Sequence, residues 1–311
     1  MNAGDKLARS PPFPHNAMPS LEKGPTLPPL QTDQPLNILV LAAGLGTRMK
    51  SKRAKVLHEL GGLPLITYVC RTAQSLVPEK IYVVVGHQAE EVERAVKAEV
   101  NDAAAFVTQT EQRGTGDAVL AAQSQLGDSD SVVLILSGDV PLIRSTTLEN
   151  FFNQHQASGA ACSILSVRLE NPTGYGRVIR DEQDRFVRIV EHKDATADEQ
   201  KTKEINSGIY CFAARKLFAA LKRVEPSNQQ GEYYLTDVPG ILLSDGEQVN
   251  VYLHGDAREV SGINTRAELA EFENLLRTGR FGDWSRSHVH ETEFRLVPCA
   301  SKSSTWARGS N

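Results

Sequence analysis

Cysteine is scarce in this 311-residue chain, and its four copies (Cys70, Cys162, Cys211 and Cys299) include no Cys-x-x-Cys pair. That spacing argues against a cysteine-built zinc site and offers no disulfide framework. Cys162 and Cys211 sit inside apolar runs, where a thiol behaves as a small hydrophobe. A basic excess is missing too: 34 Lys and Arg stand against 38 Asp and Glu, for a net charge of −4. Nucleic-acid binding calls for a positive surface, so it is not expected. No apolar run reaches the length of a membrane span, and the N-terminus lacks a charged-then-apolar export signal. The expected setting is the cytoplasm, with no membrane partner. Internal repeats are also absent.

What is present is an ordinary globular composition, 40% hydrophobic and 23% charged. Prolines crowd the start, eight of the fifteen lying in residues 1–35. That segment is expected to be a disordered leader, because it has too little apolar surface to offset its conformational entropy. Residues 278–311 are rich in Ser, Arg and Gly yet carry both tryptophans, Trp284 and Trp306, and read as a mostly unstructured tail. One folded domain is expected over 36–277.

Within it, strand-like runs occur at 37–43, 80–86, 131–138, 161–167 and 207–213. Amphipathic helical patterns separate the early ones. Val92, Val96 and Val100 form one stripe, and Val119, Ala122 and Leu126 another. Continuous Val/Ile/Leu strands between such helices predict an α/β, Rossmann-like fold with a mostly parallel, doubly wound sheet. Two alternating runs flank Asp181–Arg185 within 177–191 and predict an antiparallel β insertion.

The first strand ends in LAAGLGTRM, and open α/β sheets bind ligands just past the carboxyl ends of their strands. Gly44 and Gly46 permit positive φ and let bare backbone N–H groups approach an anion. Arg48 supplies a planar fork for phosphate and Lys55 a point charge. A dinucleotide fingerprint needs a third glycine, where Met49 stands, and a Walker loop needs Gly-Lys-Ser/Thr, which is missing. On spacing alone, a plain structural turn remains an alternative.

Asp139 follows another buried run directly, in SGDVPL. A carboxylate in the same crevice suits Mg²⁺, which takes few protein ligands. The competing role, capping the helix that starts near Ser145–Thr147, fits Ser145 better. Gln109 ends a short strand and Gly114-Thr115-Gly116 opens a helix. An amide there suits a nucleobase edge, although a simple cap explains the spacing equally well.

LAAGLGTRM with Lys55, QTEQRGTGDA, SGDVPL, PTGYGRVIR, IVEHKDA, EINSGIY, GEYYLTD and VSGINTR occur in that order. Together they closely resemble the uridylyltransferase half of the bacterial bifunctional N-acetylglucosamine-1-phosphate uridylyltransferase/glucosamine-1-phosphate acetyltransferases. The resemblance implies that UTP and N-acetylglucosamine 1-phosphate react to give UDP-N-acetylglucosamine and pyrophosphate, with Mg²⁺ as cofactor. It implies uridine contacts from the backbone of Leu41, Ala42, Ala43 and Gly44, with Gln109, Gly114 and Thr115 around the uracil. Arg48 and Lys55 would clamp the phosphates, Asp139 and Asn264 would ligate the metal, and Gly176, Glu191 and Asn206 would contact the sugar. The GEYYLTD side chains (231–237) read as pocket wall.

Three departures stand out. Ala54 replaces the family's usual proline before the clamp lysine, and Ser137 precedes Gly-Asp where many members differ. The family's hexapeptide β-helix, which carries the acetyltransferase and the trimer contacts, has no counterpart after Arg277, so acetyl transfer is not expected. A sister pyrophosphorylase for another sugar or nucleotide would share the phosphate chemistry. A non-catalytic sensor on the same fold would be expected to lose the clamp or the metal ligands.

Overall fold

The computed structural model describes residues 34–278. The leader and the tail, with Trp284, Trp306 and Cys299, fall outside the described residues apart from Gln34, Pro35 and Thr278. The strands are β1 (Leu36–Leu41), β2 (Glu59–Leu60), β3 (Leu63–Pro64), β4 (Lys80–Val85), β5 (Ala104–Thr108), β6 (Val132–Ser137), β7 (Cys162–Arg168), β8 (Arg177–Arg180), β9 (Phe186–Val190), β10 (Glu204–Ala213) and β11 (Val249–His254). The α-helices are α1 (Leu65–Ser75), α2 (Ala89–Val100), α3 (Thr115–Leu120), α4 (Gln123–Leu126), α5 (Ser145–Ser158), α6 (Ala214–Leu221), α7 (Val238–Ser244) and α8 (Arg266–Arg277).

The main sheet runs β11-β7-β10-β6-β1-β4-β5, with β8 and β9 attached beside β10. β10 is antiparallel to β6 and β7, while β1 pairs parallel with both β4 and β6, β5 with β4, and β11 with β7. The expected mostly parallel sheet is present, with one opposed strand inside it. The run 207–213 belongs to that strand, which begins earlier, at Glu204. Strand direction is set by the path between strands, which the run's own apolar residues do not encode. β8 and β9 form the hairpin around Asp181–Arg185.

β1 and β6 are buried nearly throughout, as strands covered on both faces must be. Val92, Val96 and Val100 on α2 are buried as one stripe. The second predicted helix is broken into α3 and α4. α5 begins at the expected cap itself, with Arg144 at the N-cap position and Ser145 inside the helix. Tertiary anchoring replaces side-chain capping there: Thr147 Oγ1 donates to Glu259 Oε2 at 2.6 Å, and Arg144 Nε lies 3.4 Å from Glu259 Oε1. Cys70, Cys162 and Cys211 are buried free thiols, and burial pushes all three up from the usual thiol range. Among the described residues, no helix is long and apolar enough to cross a membrane.

Candidate active site

Chain order reverses between β1 and β6. β1 is followed in the sheet by β4 on one side, while β6 lies on the other, and Leu41 is in register with Ser137. A crevice opens at the carboxyl ends of strands at such a point. The loop after β1 (residues 42–50) and Asp139 after β6 therefore emerge side by side. Being antiparallel, β10 brings its N-terminal end, with Asn206, to this same edge.

Four polar residues meet here. Lys55 Nζ makes an ion pair with Asp139 Oδ2 and donates to Asn264 Oδ1 at 2.9 Å. Arg48 Nη2 donates to the same Asn264 oxygen at 2.9 Å. The structure thus places Arg48, Lys55, Asp139 and Asn264, drawn from three loops, around one point. The loop from β11 is drawn in by the Ile263 N–H, which donates to the Asp139 carbonyl at 3.0 Å. Gly262 permits that approach, since a Cβ there would lie 3.2 Å from Asp139 Oδ2.

Glu268 and Thr265, to which sequence reasoning gave no role, hold this arrangement. Glu268 accepts the N–H groups of Asn264 (2.7 Å) and Thr265 (2.8 Å), while Thr265 Oγ1 accepts the Glu268 N–H at 3.2 Å. That capping box starts α8 and fixes Asn264; its Thr-x-x-Glu spacing was a legible signal. Tyr175, in the loop directly before Gly176, is half-buried. Burial foremost, then the charges of Glu268 and Asp139, raise its phenol above the usual range.

In the phosphate loop, Gly46 has φ +62, and a Cβ there would lie 2.5 Å from Lys55 Cβ. Only glycine lets the loop pass under the lysine. Gly44 differs from expectation: it is exposed, is not among the positive-φ residues, and has open space where a Cβ would point. Several backbone groups of 41–43 already serve the fold. The Leu41 carbonyl accepts from Gly138 N–H (2.9 Å), Ala42 N–H donates to Val84 O (2.9 Å), and the Ala43 carbonyl accepts from Gln112 Nε2 (3.0 Å). A carbonyl keeps a second lone pair for a ligand, whereas the Ala42 N–H is spent.

Gln109 is buried, and its Nε2 donates to Asp117 Oδ2 (2.9 Å) and the Gly114 carbonyl (3.2 Å). Both partners are acceptors, so the amide orientation is fixed and Oε1 is left available. The side chain offers an acceptor rather than the donor–acceptor pair expected from an amide. Gly114 has φ +117, and a Cβ would lie 2.5 Å from the Tyr233 carbonyl oxygen. Thr115 Oγ1 accepts the Leu235 N–H at 3.0 Å, tying α3 to the 231–237 segment.

The three expected sugar residues also come together. Asn206 N–H donates to the Gly176 carbonyl at 2.9 Å, and a Cβ on Gly176 would lie 3.3 Å from Glu191 Oε1. A bulge in β10, with Gly208 at φ +80, turns the Asn206 side chain so that its Oδ1 accepts the Gly208 N–H at 3.1 Å and its Nδ2 donates to Tyr210 Oη at 2.6 Å. Thr236 Oγ1 donates to Glu191 Oε1 at 3.2 Å, giving one residue of the supposed pocket wall a polar task. Burial raises the Glu191 carboxyl above its usual range, offset in part by that hydrogen bond.

Asp139 and Asn264 present two hard oxygen donors to one point, and that point already attracts the cationic ends of Lys55 and Arg48. Among the described residues no trio of His, Cys, Asp or Glu forms a metal cage. The donor set fits Mg²⁺, which draws most of its ligands from phosphate and water.

The family model for nucleotidyl transferases matches residues 37–278. The chain belongs to the nucleotidyl transferase family. It is similar to the bifunctional protein GlmU of Oceanobacillus iheyensis, 47% identical over 239 residues, covering 77% of this chain and 52% of that relative. It is similar to the GlmU proteins of Acetivibrio thermocellus (44% over 243 residues, 78% and 52%) and Syntrophomonas wolfei (43% over 242 residues, 78% and 53%). The chain spans about half the length of these curated relatives. Among solved structures, UDP-glucose pyrophosphorylase complexed with UDP-glucose aligns with TM-score 0.65 at 17% identity, over 79% of this chain and 100% of the other. At that identity the likeness is one of fold.

Proposed function

We propose that this chain, through its 36–277 domain, is a cytoplasmic Mg²⁺-dependent uridylyltransferase. It joins UTP to N-acetylglucosamine 1-phosphate and releases pyrophosphate. The observation that carries this is the convergence of Lys55, Arg48, Asp139 and Asn264 at the carboxyl ends of β1 and β6. Similarity at 43–47% identity to GlmU proteins supports the choice of reaction.

The attacking atom is a phosphate oxygen of the sugar phosphate. With a second pKa of about 6, that group is largely a dianion at neutral pH, so no general base and no Ser, Cys or His nucleophile is required. The obstacle is repulsion: two unit charges about 4 Å apart cost roughly 4 kcal/mol at an effective dielectric near 20. Arg48 and Lys55 oppose it by binding the triphosphate and the departing pyrophosphate. Asp139 and Asn264 would hold Mg²⁺, which supplies further charge neutralisation when bound.

The β1 loop places the nucleotide, with carbonyl lone pairs of Leu41 and Ala43 and the backbone of Gly44 toward uridine. Gln109 Oε1, an acceptor locked by Asp117, matches the N3–H of uracil and mismatches the bare N3 of cytosine. Gly114 and Thr115 close the base side. Gly176 from its backbone, with Glu191 and Asn206, would contact the sugar and orient its phosphate for in-line attack.

The test is pyrophosphate release across a panel of nucleoside triphosphates and sugar 1-phosphates, with and without Mg²⁺. The expected result is turnover confined largely to UTP with N-acetylglucosamine 1-phosphate and abolished by chelation. Preference for glucose 1-phosphate, or for another base, would overturn the substrate assignment.

A further inference from the structure

The lysine clamp is delivered by a segment whose own support lies elsewhere, in the turn between β4 and α2. Ala54, directly before Lys55, is completely buried, with φ −55 and ψ 140. A buried backbone N–H must find an acceptor. A proline at this position would have no N–H to satisfy. In this chain the Ala54 N–H donates to Gln88 Oε1.

Gln88 is unusual in its own right. Its backbone is left-handed, at φ 55 and ψ 41, a conformation that favours glycine. Although it precedes α2 at the N-cap position, its side chain makes no capping bond to that helix. Its amide oxygen is spent on the clamp segment instead. The same turn makes two further approaches: His87 Nε2 lies 3.4 Å from the Lys52 carbonyl, and a Cβ on Gly86 would lie 3.1 Å from the Ala43 carbonyl oxygen. The 86–88 turn thus touches the phosphate loop at its start and at its end.

We propose that Gln88 is a positioning residue for the phosphate clamp: by accepting the Ala54 N–H it fixes the segment that presents Lys55 to Asp139 and Asn264. Gln88 and Ala54 act as a matched pair, the glutamine supplying what an alanine needs and a proline would not. The inference rests on the uridylyltransferase reading for its catalytic consequence, and on the hydrogen bond alone for its structural one.

The experiment is a double-variant cycle in the full chain, using Gln88→Gly, Ala54→Pro and the two combined. Gln88→Gly removes the acceptor and also relieves the left-handed backbone, so any loss cannot come from strain. It is expected to lower kcat about tenfold with little change in KM, the order of a buried donor left unmade. Ala54→Pro alone sets the ring Cδ against Gln88 Oε1 and is expected to cost a similar factor. The combined variant removes both faults and should return to within about threefold of wild type. A combined loss equal to the product of the single losses, about a hundredfold, would overturn the pairing, as would wild-type kcat in Gln88→Gly.

Amide hydrogen exchange over residues 52–57, read by mass spectrometry without substrate, gives an arm independent of turnover. Protection should fall in Gln88→Gly and return in the combined variant; unchanged protection in Gln88→Gly overturns the proposal. Should wild-type protein turn over no substrate pair, the uridylyltransferase reading fails and this exchange arm alone decides the role of Gln88.

Discussion

Replacing Lys55 with alanine perturbs the site at its most connected point. The ammonium touches the Asp139 carboxylate and the Asn264 amide oxygen, and both Lys55 and Asp139 side chains are less than one-fifth exposed. A unit charge about 4 Å from a phosphoryl oxygen contributes roughly 4 kcal/mol at an effective dielectric near 20, an upper bound of about a thousandfold in rate. Arg48 already donates to the same Asn264 oxygen and can recover part of that. The expected loss in kcat/KM is therefore on the order of a hundredfold, comparable with removal of one charge-stabilising donor elsewhere. Stability should change as well. Asp139 loses its counter-charge, and because the pair is reached by water the cost is about 1 kcal/mol rather than the several expected of a sealed pair. For a domain of this size that lowers the melting temperature by roughly 2–4 °C. Added Mg²⁺ should narrow the gap in melting temperature, since a divalent cation can take over the neutralisation of Asp139. Continuous pyrophosphate release at saturating Mg²⁺ checks the activity arm, and thermal melts with and without Mg²⁺ check the stability arm. A Lys55→Ala enzyme within threefold of wild type would refute the clamp.

Gly46→Ala should be among the most damaging single-methyl changes in the chain, because φ is +62 and the new Cβ would meet Lys55 Cβ at 2.5 Å. Activity is expected to fall at least tenfold, with a lower melting temperature, whereas Gly44→Ala, whose methyl meets no protein atom, should leave the melting temperature nearly unchanged; equal losses of melting temperature would contradict this loop geometry. Glu191 gives a pH prediction. Its carboxyl is raised by burial, so the folded state holds the proton more tightly than the unfolded chain, and the associated stability is lost as pH rises through the folded value. Glu191→Gln should therefore melt higher than wild type near pH 7.5 and lose that advantage as pH falls toward 4.5, while its KM for the sugar phosphate rises; a variant less stable at pH 7.5 would contradict the sign.

Much of the fold was legible because its strands are long Val/Ile/Leu runs between periodic helices. β1, β4 and β6 lie within two residues of the runs read from sequence. The hairpin around Asp181–Arg185 was legible from its turn chemistry. The direction of β10 was not, because pairing depends on partners distant in sequence. The break between α3 and α4 also escaped, since no glycine or proline marks it. In the site, motif residues could be placed by type, but their partners could not. Gln109 was legible as a candidate for a base contact, yet that it offers only its oxygen depends on Asp117 lying one turn into α3. Glu268 carried a readable capping signal, whereas Gln88 carried none: its role exists only where β4 and the clamp segment meet in space.

A crystal structure of the protein with UDP-N-acetylglucosamine and Mg²⁺ tests the central claim most directly. The account predicts the diphosphate between Arg48, Lys55, Asp139 and Asn264, the uracil N3–H on Gln109 Oε1, and the sugar hydroxyls beside Glu191 and Asn206. A nucleotide bound elsewhere, or one that leaves Lys55 and Asn264 more than about 6 Å from any phosphate oxygen, beyond direct hydrogen-bond reach, would contradict it.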